Sequence, residues 1–409
     1  GPFYGIGLKM YDLLAGRQGF GRSKILSKER TLQLLPTLEP EGLKGGVIYY
    51  DGQFDDARLA VNMAQTAARQ GAVLLNYAEV TGLEKREGEV AGVRARDRET
   101  GQTYALASRV VVNATGAWSD RVRAMDDPAA ARIIRPSQGV HLVLPREFLP
   151  GESAIMVPKT DDGRVLFAIP WLDRVVVGTT DTPVEEPSPE PVPLAEEIDF
   201  LLEHAGRYLT RDPAPSDVLS MFAGLRPLVA GEGDEATAAL SRDHTLLISE
   251  SGLVTIAGGK WTTYRRMAED TVDQAATLAG LDDRPCVTRD LHIHGHHPHA
   301  ERFGELATYG SDAPRVREVF RERDGYGEPL HGAFPLRAGE VVWAVRHEMA
   351  RTVEDVLSRR SRALLLDAGA AIEVAPRAAA LMAAELGRDA AWIDDQIAAF
   401  RELAAGYLP

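Results

Sequence analysis

Apolar and polar positions change period several times along the chain, and each change marks an element. From 55 to 71, "DDARLAVNMAQTAARQG" opens on acidic residues and puts Leu59, Ala60, Met63, Ala64 and Ala67 at helical spacing. That narrow face of small apolar side chains suits a helix lying against a sheet. "GAVLLNYAEV" follows directly and predicts a buried strand, so the pair predicts an αβ unit. Alternating short strands then run through "TGLEKREGEVAGVRARDRETGQTYALASRVVVNATGAWSD", turning at Glu87-Gly88 and Thr100-Gly101. This meander ends in the apolar strand 110–112, then Asn113-Ala114-Thr115-Gly116 and a helix start.

Strand patterns dominate 135–248: "GVHLVLP", "SAIMVP", "VLFAIPW", "RVVVGTTD" and "HTLLISE", interrupted by the helical "LAEEIDFLLEHAGRYL". These predict a second, mostly antiparallel sheet with helices. "TPVEEPSPEPVP" (182–193) is a loop and not a domain linker, because regular patterns resume on both sides. Another apolar strand leads into "IAGGKWTTYRRMAED", a glycine turn followed by a helix. The stretch "PCVTRDLHIHGHHPH" (285–299) carries five histidines. It has no cysteine or carboxylate at ligand spacing, so it reads as a solvated connector in preference to a metal site. Beyond it, 300–409 is almost all helical, with "EVVWAVRHEMARTVEDVLSRRSRALLLD" the strongest period and no internal repeat.

A chain of 409 residues is long for one core and implies two or three domains. Its net charge of -14 argues against wholesale nucleic-acid binding, so an anionic substrate has to be captured by particular cations. The single cysteine, Cys286, excludes an internal disulfide and fits a reducing compartment. There is no uninterrupted apolar run of membrane-spanning length and no signal-peptide pattern at the start, so the expected location is cytosolic or on a membrane surface. "GLKMYDLLAG" fits a helix packed on its own protein better than one lying at an interface.

The glycine turn at 258–260 joins bare backbone, a lysine and a helix N-terminus, which together suit an anionic group. A nucleotide P-loop is excluded, because Trp261 follows Lys260 and Val254 stands where the first glycine belongs. Three separated pieces, 55–80, "VVVNATGAWSD" and "LVTIAGGKWTTYRR", have the form of strands of a dinucleotide fold ending in glycine or small residues. A flavin suits this arrangement better than a nicotinamide, since later strands return to the same cofactor after a large insertion.

Nine segments in order, "GLKMYDLLAG", "YYDGQFDDARLA", "VVNATGAWSD", "SQGVHLVLPR", "FAIPWLDRVVVGTTDT", "FAGLRPL", "SRDHTL", "GGKWTTYRRMAE" and "EMARTVEDVLSRRSR", make the chain resemble the FAD-dependent glycerol-3-phosphate dehydrogenases, within the D-amino-acid-oxidase-like flavoproteins. The family's opening Gly-x-Gly-x-x-Gly, Ser-Ser-Lys and His-Gly-Gly-x-Arg-Tyr segments are not in the sequence. The expected fold is therefore α/β plus α+β: an incomplete FAD-binding Rossmann-like domain, an antiparallel-sheet substrate domain and a C-terminal all-helical domain. Residues 1–54 would be an N-terminal remnant leading into the substrate sheet, 55–130 and 251–284 the FAD-binding parts, 131–250 the substrate domain and 300–409 the helical domain. The helical tail packs on the sheet domains or forms a homodimer contact; both remain open.

The resemblance implies oxidation of sn-glycerol 3-phosphate to dihydroxyacetone phosphate, with FAD as cofactor and quinone as electron acceptor at the inner face of the membrane. It places Arg226 over the flavin beside the hydroxyl-bearing carbon and makes His141 the general base, with Arg242 and Lys260 as phosphate clamp. Read from the residues alone, Arg226 is braced by neighbouring Gly224 and Pro227 and carries a fork suited to an anionic oxygen. His141 alternates with apolar Val140 and Leu142 and so points to the opposite face of its strand. Asp181 orients a polar group in the site or caps a turn. The implied cofactor contacts are Gly258, Gly259, Lys260, Thr262 and Thr263 at the flavin, with Val80, Ala114, Thr115 and Gly116 on the adenosine or ribityl side. Alternatives are a glycerol-3-phosphate oxidase, an amino-acid oxidase of the same fold class, or a non-catalytic chain that binds no flavin; the Arg242 and Lys260 pair favours a phosphate substrate.

Overall fold

The computed structural model describes residues 21–158, 160, 164–230 and 244–409. At its centre is a six-stranded antiparallel sheet built on a long strand, β7 (Ile134–Pro145). Along one edge β7 pairs with β10 (Arg174–Gly178) and then β11 (Thr182–Pro183); along the other it pairs with β12 (Ser220–Val229). Beyond β10 lie β9 (Leu166–Trp171) and β8 (Ile155–Val157). Alternation decides the faces: Val140, Leu142 and Leu144 point into a core shared with Val175, Val177, Met221 and Leu201. Leu201 belongs to α4 (Ala195–Gly206), which covers that face. The opposite face carries Ser137, Gly139 and His141.

A smaller sheet runs β13 (His244–Ile248), β14 (Val254–Gly258), β6 (Val112–Asn113), with β14 and β6 parallel. "HTLLISE" was expected in the large sheet, but it forms the antiparallel partner of β14, because the tight turn at Ser249–Gly252 closes a hairpin. A separate meander joins β3 (Ala78–Arg86), β4 (Glu89–Asp97) and β5 (Thr103–Ala107), turning at Glu87-Gly88 and Thr100-Gly101 as the pattern requires. It meets the small sheet through α3 (Ser119–Asp126).

The αβ unit expected at 55–80 forms only in part. Helix α2 (Asp56–Arg69) starts where Asp55 accepts from the Arg58 amide. Residues 72–77 are not a strand: Val73 is 89% and Leu75 68% exposed, and regular pairing begins only at Ala78, although the Arg98 amide donates to the Tyr77 carbonyl and Asn76 donates to the Met349 carbonyl. Nor is the small apolar face of α2 its buried one. The fully buried positions are Arg58 and Thr66, which turn toward the C-terminal region.

That C-terminal region is less continuous than its periodicity suggests. After α6 (Ala313–Glu322) comes a hairpin of β15 (Pro329–His331) and β16 (Phe334–Arg337), then α7 (Ala338–His347). The long apolar period breaks twice, at Met349 and Arg362, both left-handed with φ of 56° and 65°. Between them Asp355 accepts from the amides of Arg351 and Thr352, a side-chain cap that starts a fresh π-helical turn. A short α8 (Ala363–Leu366) leads to α9 (Ala368–Leu386) and α10 (Ala390–Ala405), begun by Asp367 and Asp389 as N-caps. The tail packs on the large sheet: Met221 donates to the Tyr407 carbonyl, Ala368 to Leu219, and Ser220 Oγ to Leu364.

Candidate functional site

On the free face of β7, His141 lies opposite Gly178 on β10 and Phe222 on β12; Gly139 lies opposite Gly224, and Ser137 opposite Arg226. Three glycines, 139, 178 and 224, thus share one small area, and the side chains of Arg226 and His141 fill the room left by the first two. A Cβ on Gly139 would sit 2.6 Å from Arg226 Nη1, and one on Gly178 would sit 2.8 Å from His141 Nε2. A Cβ on Gly224 would meet nothing within 4 Å. The result is a sheet face on which an arginine and an imidazole each lie close over a glycine backbone.

Arg226 is held from the side of the Thr179–Thr182 loop. Nη2 donates to Thr179 Oγ1 (3.0 Å), Nη1 donates to the Thr180 carbonyl (3.2 Å), and Asp181 stands 3.5 Å away as counter-charge. Asp181 also accepts from Ser137 Oγ. His141 stacks on Phe222 with ring centroids 5.2 Å apart. Burial, and then the positive charge of Arg226, pushes the imidazole pKa down to about 4, so it is neutral at physiological pH.

The loop itself hangs from Glu197 in the first turn of α4. Its carboxylate is 3% exposed and accepts four hydrogen bonds, from Thr180 Oγ1 (2.8 Å), Thr182 Oγ1 (2.7 Å), Gln138 Nε2 (2.7 Å) and the Leu194 amide (3.0 Å). Burial pushes that carboxyl up, but the bonds from Thr182, the Leu194 amide, Thr180 and Gln138 outweigh it and hold the pKa below the usual value.

The second cluster is the glycine turn. Strand β14 ends at Gly258, and Gly258 and Gly259 take φ of 71° and 78°, a region that favours glycine. A Cβ on Gly259 would also come within 2.7 Å of Met267 Cε. A 3-10 turn, Trp261–Thr263, then leads into α5 (Tyr264–Leu278). The Lys260 amide donates to Thr263 Oγ1, whereas the amides of Gly259, Trp261 and Thr262 have no acceptor among the described residues. On the parallel neighbour, Thr115 Oγ1 donates to Asn113, and buried Asn113 donates to the Ser119 carbonyl and to Thr255 Oγ1, tying β6 to β14. Gly116 follows with φ of 57°.

Strand β12, which carries Arg226, packs against both β14 and the Gly116–Trp118 turn. The side chain of Lys260 is exposed at the rim, as are Thr262, Thr263, Ala114 and Thr115. Val80 is in the meander, paired with Ala95. Arg242 and "GLKMYDLLAG" fall outside the described residues. Among those described, no three His, Cys, Asp or Glu side chains gather as a metal site; in the histidine-rich connector His292 stacks on His296 and His294 pairs with Asp312. Ser137, Thr179, Phe222, Asn113 and Glu197 were not anticipated. The faint signal was glycine at 139 and 224, each two residues from a functional side chain.

The model of the "FAD dependent oxidoreductase" family matches residues 6–265, and that of the "C-terminal domain of alpha-glycerophosphate oxidase" matches 253–393. The mitochondrial glycerol-3-phosphate dehydrogenase of Homo sapiens is 40% identical over 95% of this chain and 57% of its own length. The mitochondrial glycerol-3-phosphate dehydrogenase SDP6 of Arabidopsis thaliana is 39% identical over 94% of this chain and 66% of its own. The chain thus spans less than two thirds of these relatives. Among solved structures, the glycerol-3-phosphate dehydrogenase from Bacillus halodurans complexed with FAD superposes with a TM-score of 0.82 at 30% identity, over 94% of this chain and 80% of that one.

Proposed function

The chain belongs to the FAD-dependent oxidoreductase family, and from that premise we propose that it serves the oxidation of sn-glycerol 3-phosphate to dihydroxyacetone phosphate. The observation that carries the reading is one sheet face that holds a neutral imidazole and a guanidinium whose charge reaches it, on a sheet whose β12 packs against the strand leading into the glycine turn.

The residues fit the flavin's requirements. Two left-handed glycines bring bare backbone close, and the amides of Gly259, Trp261 and Thr262, without an acceptor among the described residues, suit an electron-rich ring edge at the entrance to α5. When bound, FAD supplies the acceptor for the two electrons released at the substrate carbon. His141 takes the hydroxyl proton, for which its neutral state prepares it. Arg226, aligned by Thr179, Thr180 and Asp181, holds the reacting oxygen, and Lys260 with Arg242 holds the phosphate. Val80, Ala114, Thr115 and Gly116 serve the adenosine or ribityl side.

Electrons then pass to a quinone, which requires docking on the inner membrane face. No helix among the described residues is long and apolar enough to cross a membrane, which fits peripheral attachment.

The test is the visible spectrum of the protein with added FAD, followed by anaerobic addition of glycerol 3-phosphate or a D-amino acid. Bleaching by glycerol 3-phosphate alone is expected. Bleaching by the amino acid instead, or by neither when FAD is bound, would overturn the reading.

A further inference from the structure

Arg226 owes its position to a loop, and the loop owes its position to one buried carboxylate. Thr179, Thr180 and Asp181 all contact the guanidinium, but the first two do so through a hydroxyl and a carbonyl on a short irregular stretch between β10 and β11. Left to itself such a stretch has freedom to shift. Ser137 ties the loop at Asp181, and two further residues, Thr180 and Thr182, tie it to Glu197. The Val140 amide donates to Thr180 Oγ1 (3.0 Å), which directs the single Thr180 proton to Glu197, and Thr182 Oγ1 donates to the same Glu197 oxygen. The other carboxylate oxygen is anchored by Gln138 and the Leu194 amide.

We propose that Glu197 is a positioning residue for the reaction, fixing the Thr179–Thr182 loop and through it the guanidinium of Arg226. This rests on the role given to Arg226 above.

The chemistry of the site makes the idea specific. All four partners of Glu197 are donors, so the ionised carboxylate satisfies every one of them. Glutamine has nearly the same shape but must point its amide nitrogen at two of these donors. The Leu194 amide cannot reverse, so the nitrogen turns toward the threonine hydroxyls, which must rotate to accept from it, and the charge-assisted bonds that hold the loop become weaker neutral ones. Thr180→Val removes the same tie from the loop's side at nearly constant volume, and Thr180→Ser keeps it.

The experiment uses the FAD-loaded protein and three readouts. With glycerol 3-phosphate, Glu197→Gln and Thr180→Val are expected to lower kcat/KM about tenfold to a hundredfold, the scale of a small misplacement in an active site. Thr180→Ser should restore it. In an Arg226→Lys background, Glu197→Gln should add little, because the two act through one group. Independently of turnover, the His141 imidazole is followed by NMR, its resonance assigned by loss in His141→Gln. Its pKa should rise measurably in Glu197→Gln as the guanidinium moves away, and no such rise should occur when Arg226 is already replaced.

A full additive loss in the Arg226→Lys background, or an unchanged His141 titration in well-folded Glu197→Gln and Thr180→Val, would overturn the proposal. If glycerol 3-phosphate is not oxidised at all, the functional reading fails while the NMR comparison still decides the role of Glu197.

Discussion

Gly139 shows how much a single absent methyl group can matter. The Arg226 guanidinium occupies the space that any other residue at 139 would fill with its Cβ. Gly139→Ala is therefore expected to displace the guanidinium from Thr179 and Thr180, lowering kcat/KM about tenfold or more. The cost in stability should be about 1–3 kcal/mol of overpacking. Steady-state kinetics beside a thermal melt checks both; full activity would mean that the guanidinium position is not critical. Glycine in "SQGVHL" is visible in the sequence, but its reason is not, because the side chain that needs the room is 87 positions later and arrives only by pairing of β7 with β12.

Among elements, the strand–turn–helix at 254–278 was the most legible. Its apolar run, glycine pair and helix onset are local signals, and the structure places β14, the turn and α5 accordingly. Gly259→Ala should force a left-handed alanine against Met267, costing about 1–3 kcal/mol and weakening FAD binding. Urea melts and FAD titration would reveal it, and an alanine variant with unaltered melt and affinity would contradict the geometry. Helix α2 was legible as a helix and misread in its packing. Amphipathic spacing identifies an apolar stripe, yet the buried positions are Arg58 and Thr66, because their partners come from the far end of the chain.

Across the whole molecule, polar contacts bind α2 to the C-terminal region. Arg58 pairs with buried Glu348 at 2.5 Å, donates to the Arg360 carbonyl and lies 4.7 Å from the Tyr309 ring centroid. Arg58→Ala leaves buried Glu348 without its ion-pair partner and with only the Trp343 indole donating to it, and about 3–5 kcal/mol of stability should be lost in urea unfolding. Replacing both residues by methionine should recover most of it. Nearby, Tyr309 donates to Glu340, whose pKa burial pushes up to about 7. Between its ordinary 4.5 and about 7 the folded state therefore holds a proton that the unfolded chain has lost. That contribution to stability is present at low pH and disappears as pH rises toward 7. Glu340→Gln should flatten the fall in Tm between pH 5 and 7 relative to the parent protein; parallel profiles would show that Glu340 ionises normally.

The sequence by itself determined the helices, most strands, the glycine turn, the resemblance to a flavin family and the identity of the chemically distinctive residues, since these depend on spacing over a few positions and on side-chain type. Tertiary structure alone decided which strands share a sheet, that 72–77 does not form a strand, that the long C-terminal period breaks at Met349 and Arg362, and that Glu197 stands behind Arg226. Each of these depends on partners far away in the chain. Local periodicity records which face of an element is apolar; only the packed fold specifies what that face, or an opposing carboxylate, finally meets.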